Sequence, residues 1–91
     1  MEYQIGQVVY SKSGHDQGDA LLVYSVDGEY LYLVDGKRRR LEKPKRKKKK
    51  HVQPTCYVAR ELAEKLQRKS YLPDAEVAKA LKKYQKEAGS Q

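Results

Sequence analysis

Apolar residues in the first third of the chain come in short β-branched and aromatic runs. Gln7-Val8-Val9-Tyr10-Ser11 is the first and residues 20–26 are the second; runs of this length and composition predict strands. Residues 12–19 lie between them, with two glycines and several turn formers, and predict a loop. Asp27-Gly28 separates the second run from Tyr30–Val34, and Asp35-Gly36 separates that run from residues 37–41. Asp-Gly between apolar runs is a two-residue hairpin signal, so the pattern predicts an antiparallel meander. Residues 42–50 contain Pro44 and no apolar side chain, which predicts a loop or an extended arm. His51-Val52-Gln53 predicts a short closing strand ended by Pro54. Beyond it the period changes. Val58, Leu62 and Leu66, with Ala59 and Ala63 beside them, form a helical stripe starting near Thr55 as N-cap. Residues 70–73 interrupt it, and Asp74 caps a second helix over residues 75–88 that Gly89 ends. The predicted organisation is a β domain over residues 1–54, including a basic loop at 37–51, and a helical appendage over residues 55–91.

Charge sharpens this picture. The 91 residues carry a net charge of +8. Residues 1–36 hold one lysine against six carboxylates. Residues 37–51 hold eleven lysines and arginines against Glu42 alone, a net +10, and residues 52–91 hold eight cations against five carboxylates. A block of like charge is costly to assemble unless an anion meets it, and here it lies between two predicted strands rather than on a tail. The other features exclude more than they assert. No apolar run approaches a membrane helix, and the N-terminus lacks the basic flank and apolar core of a signal peptide. Cys56 is the single cysteine, so neither an internal disulfide nor a multi-cysteine zinc site is expected. A reducing cytoplasm is the simplest home.

The stretch from Gly6 to Gly18 resembles the opening of a KOW motif. The ordered set that follows is similar to the L-fourteen-e class of large-subunit ribosomal proteins and its small bacterial KOW relatives: Val34-Asp35-Gly36, Lys43-Pro44-Lys45-Arg46 and Lys50-His51. The likeness spans about residues 5 to 53. It implies an SH3-like, five-stranded antiparallel barrel followed here by two short helices, and contact with ribosomal RNA through loops and basic residues. His15 stands where that class has arginine and Gln17 where a basic residue is common, so the first loop is the weaker phosphate contact and the weight shifts to the basic block.

The expected function is therefore RNA binding through phosphates, by a monomer associated with the ribosome and in reach of ribosomal or translation proteins. The expected contacts are Lys37, Arg38, Arg39, Arg40, Lys43, Lys45, Arg46, Lys47, Lys48, Lys49, Lys50 and His51, with Lys12, His15 and Gln17 as a secondary loop. Arg38, Arg39 and Arg40 are expected on an edge strand, and residues 45–50 on an arm that orders on RNA. Tyr30 and Tyr32 share one strand face, and the favoured reading makes them half-buried core residues, since the chain has eight tyrosines but no Phe or Trp. Asp16 and Asp19 are expected to bond local backbone N–H groups. A DNA-binding nucleoid-type module and a protein-interaction adaptor are the alternatives. No cofactor or metal is expected, and no nucleophile–base set suggests an enzyme.

Overall fold

A computed structural model describes residues 2–14 and 18–88. It is mainly β, with a five-stranded antiparallel sheet followed by two C-terminal helices. The strands are β1 (Gln7–Ser11), β2 (Ala20–Asp27), β3 (Tyr30–Val34), β4 (Lys45–Lys48) and β5 (Val52–Val58), and the helices are α1 (Arg60–Gln67) and α2 (Asp74–Ala88). The spatial order is β4-β3-β2-β1-β5. The β2–β3 hairpin forms where Asp27-Gly28 predicts it. Asp27 pairs with Tyr30, so Gly28 and Glu29 are the two loop residues, and the positive φ of 61° falls on Gly28. Glycine at the first loop position gives a twist that suits the flanking strands.

The second Asp-Gly does something else. Asp35 Oδ1 accepts the backbone N–H groups of Lys37 and Arg39, both at 2.8 Å, and the N–H of Asp35 donates to the Arg39 carbonyl at 2.9 Å. This local bonding competes with strand pairing, so residues 37–41 are a folded loop and not the predicted strand. The fourth strand is Lys45–Lys48, inside the segment expected to be a loop or arm. Its ladder to β3 pairs Leu33 with Lys45, Tyr32 with Arg46, Leu31 with Lys47 and Tyr30 with Lys48.

β5 also departs from expectation. It runs through Pro54 to Val58, because a sheet edge tolerates a residue with no N–H to donate. Thr55 is consequently a strand residue. Its hydroxyl donates to the Val8 carbonyl at 2.6 Å, and helix α1 starts five residues later, at Arg60.

Two apolar clusters lie on opposite faces of the sheet. On one, Val8, Ala20, Leu22 and Val34 pack against Ala59, Leu62, Val77 and Leu81, so both helices cover the sheet. On the other, Val9, Leu21, Val23, Leu31, Leu33 and Val52 are buried, with Tyr3 packed beside them. No helix among the described residues shields that second face, and the sheet bends over it. Chain connectivity requires the same curl. β4 and β5 are the two edges, and a three-residue 3-10 turn, Lys49–His51, joins them. Four residue steps reach about 14 Å, whereas edges of a flat five-stranded sheet stand about 19 Å apart. The sheet is bent but not closed, since β4 and β5 are not paired with each other.

Candidate nucleic-acid interface

The basic segment falls into three parts. The first is the loop from Asp35 to Pro44, which is clamped at its base and its far side. Gly36, at φ 80°, lies so close to α2 that a Cβ built there would stand 2.2 Å from the Asp74 carbonyl oxygen and 2.7 Å from the Ala78 nitrogen. The Leu41 N–H donates to Asp74 Oδ1 at 2.7 Å. The first turn of α2 thus holds a loop on which Lys37, Arg40 and Lys43 are exposed and Arg39 is half-buried. Arg38 is exposed and ion-paired with Asp19. The Asp19 carboxylate therefore neutralises part of the basic block. Arg39, Arg40, Lys43, Lys45 and Arg46 line a shallow groove, with Glu42 the one carboxylate on its rim.

The second part is β4. Register sorts its four cations by face. Arg46 and Lys48 oppose Tyr32 and Tyr30 and are exposed. The Arg46 guanidinium carbon lies 3.8 Å from the centroid of the Tyr30 ring, within cation–π range, and Lys48 Nζ lies 5.9 Å from the same ring. Lys45 and Lys47 oppose Leu33 and Leu31 on the enclosed side. Lys47 Nζ reaches across the bent sheet to donate to Ser11 Oγ at 2.7 Å and to the Ser13 carbonyl at 2.9 Å. Lys47 therefore spans the mouth of the sheet. It was expected among the phosphate contacts, and two of its three N–H donors are already taken by protein.

The third part is the turn Lys49–His51. Lys50 and His51 are exposed, and Lys49 Nζ stands 5.9 Å from the Tyr3 ring. The Lys12 N–H donates to the His51 carbonyl at 2.9 Å, which brings Lys12 beside this turn. His15 and Gln17 lie outside the described residues. Residues 45–51 form a strand and a 3-10 turn, not the arm expected to order on RNA, and Arg38, Arg39 and Arg40 sit on the clamped loop, not on an edge strand.

No carboxylate among the described residues is ion-paired with Lys37, Arg40, Lys43, Arg46, Lys48 or Lys50. Among the described residues there is also no group of His, Cys, Asp and Glu that could hold a metal ion, and no helix is long and apolar enough to cross a membrane. Burial raises the Tyr3 and Tyr10 hydroxyls above their usual value, the latter also through Tyr84.

No protein-family model and no curated protein matches the chain.

Sequence reasoning missed Tyr30 as the support of Arg46, Asp74 as a brace for the basic loop, and Asp19 as the partner of Arg38. All three depend on long-range placement. The cross-strand pairs follow only once β4 is recognised as a strand, and a run of four cations carries no periodic apolar signal.

Proposed function

We propose that this chain is an RNA-binding module that grips the phosphates of folded RNA, acting in the cytoplasm in association with the ribosome. The observation that carries the reading is the row of exposed cations left without carboxylates on a rigid frame. Lys37, Arg40 and Lys43 sit on a loop clamped by α2, Arg46 and Lys48 on a strand, and Lys50 on a short turn. Cations carried on an ordered backbone lose less loop freedom when phosphates arrive. The bent sheet, its enclosed face and the three-residue link between its edges support an SH3-like architecture of the KOW type, in keeping with the resemblance at residues 5 to 53.

The test is a titration against a structured ribosomal RNA fragment and a DNA duplex of matched length, at two salt concentrations. Tighter RNA binding, with log K falling against log salt at a slope of about −4 to −7, is expected if about five to eight phosphates are neutralised. Equal affinity for the duplex DNA points instead to a nucleoid-type polyanion binder. Absence of binding to either leaves a protein-adaptor role and ends the nucleic-acid reading.

A further inference from the structure

The eight tyrosines are not equivalent. Tyr3, Tyr10, Tyr24 and Tyr84 pack against one or other apolar cluster, Tyr57 meets Tyr84 in a tilted pair with ring centroids 5.0 Å apart, and Tyr71 is exposed. Tyr30 and Tyr32 belong to neither cluster, although the composition suggested that the core needs them. Both are half-buried on β3, with Leu31 and Leu33 fully buried on the other face. Their face is also the one on which the helices pack, but the helices reach β3 only at Val34. Among the described residues, neither helix joins the apolar packing on the outer surface of β3 and β4 beyond that point.

That surface has a polarity. On the β4 side, Arg46 opposes Tyr32 and Lys48 opposes Tyr30. On the β2 side, Ser25 opposes Tyr32 and Asp27 opposes Tyr30. A row of two rings therefore runs between two cations and a hydroxyl–carboxylate pair. The Arg46 guanidinium lies on the Tyr30 ring, yet the residue is exposed. The guanidinium thus rests over a ring while part of it stays open to solvent, with N–H donors at its edge.

We infer that Tyr30, Tyr32, Arg46 and Lys48 form a stacking platform for unpaired nucleotides of RNA. Nucleobases stack on tyrosine rings and on arginine planes, and a base laid on Arg46 would extend the existing Tyr30–Arg46 stack. The charges set the orientation. Phosphates run along β4, beside Arg46 and Lys48, and are kept from the β2 edge by Asp27. Bases point inward over Arg46 and Tyr32, where Ser25 and Asp27 offer acceptors to exocyclic amino groups. The inference rests on the RNA-binding reading and narrows its partner. The preferred RNA carries unpaired bases next to a folded segment, so that the platform and the clamped basic loop engage together.

The experiment uses the full chain with an adenine-rich oligoribonucleotide carrying 2-aminopurine, single-stranded or locked in a hairpin stem. Stacking quenches 2-aminopurine, so affinity and geometry are read in one titration. The single strand is expected to bind with quenching. Arg46→Lys keeps the charge and removes the plane, and should lower single-strand affinity at least about five-fold and abolish the quench. Affinity for the stem should hardly change. Tyr30→Leu should behave as Arg46→Lys, with its fold checked by circular dichroism; Arg46→Lys decides the matter if Tyr30→Leu does not fold. Parental affinity and quenching in Arg46→Lys would overturn the platform while leaving phosphate binding intact. Failure of the parent to bind either RNA would remove the RNA reading and the platform with it.

Discussion

The contact between Gly36 and α2 can be tested by adding a single methyl group. In Gly36→Ala, a Cβ must be held at φ 80°, which costs an L-residue about 1–2 kcal/mol. It must also displace backbone. The Asp74 carbonyl oxygen and the Ala78 nitrogen stand 2.2 and 2.7 Å from the ideal Cβ, and neither is the movable end of a side chain. Forcing extra volume into a packed site adds about 1–3 kcal/mol. The sum, about 2–5 kcal/mol, is a large part of the stability of a chain this size, which is about 5–14 kcal/mol. Gly28→Ala supplies the control. It carries the same kind of backbone strain at φ 61°, but nothing lies within 4 Å of its Cβ. In thermal unfolding followed by far-ultraviolet circular dichroism, Gly36→Ala should melt below Gly28→Ala by about 4 °C or more for each kcal/mol of clash. Equal melting of the two variants would mean that α2 does not press on the loop, and the clamp described here would be refuted.

Three further outcomes follow from the same geometry. Lys47→Ala should lower stability by about 1–2 kcal/mol, since its charged hydrogen bonds to Ser11 and Ser13 are lost, and leave the salt slope of RNA binding unchanged. Lys48→Ala should do the reverse, with stability within about 0.5 kcal/mol and a slope shallower by about one; denaturant melts and salt titrations of both variants check this pair. Asp74→Ala removes the acceptor of the Leu41 N–H and should cost about 1 kcal/mol in a urea melt while weakening RNA affinity through a loosened loop. Finally, Tyr3 and Tyr10 are raised by burial in the folded chain, so the folded state holds their protons more tightly than the unfolded one. Their contribution is fully present below about pH 10 and is lost as pH rises through the folded values; urea midpoints should hold up to about pH 10 and fall above it, and Tyr10→Phe should blunt the fall.

Three of the five strands were legible as short β-branched and aromatic runs, and the second helix because its apolar residues repeat with the right period. β1, β2 and β3 carry the enclosed core, and Val77, Leu81 and Tyr84 mark the buried stripe of α2. β4 was not legible. Nothing in Lys45-Arg46-Lys47-Lys48 asks for a strand, and its conformation comes from the open backbone edge of β3. The Arg38–Arg40 segment failed for the opposite reason. It follows a strong hairpin signal, but the Asp35 side chain bonds the loop to itself and α2 fixes the result. Pro54 misled because a chain breaker in an inner strand is acceptable at an edge, and moving β5 onward displaced the start of α1 from Thr55 to Arg60. The basic residues of the site were legible by charge, but which of them face out depended on pairing parity.

The strand order carries one more consequence, for how copies of this chain behave toward one another. An open sheet has two rims, and a bare rim invites the rim of a neighbour. Here one rim is β4, four consecutive cations, and the other is β5, interrupted by Pro54. Two β4 strands approaching each other would bring eight positive charges together, and Pro54 offers β5's visitor no amide. The same charge therefore opposes pairing of β4 with a second copy, and a variant that exchanged β4 for neutral β-formers should pair edge to edge more readily.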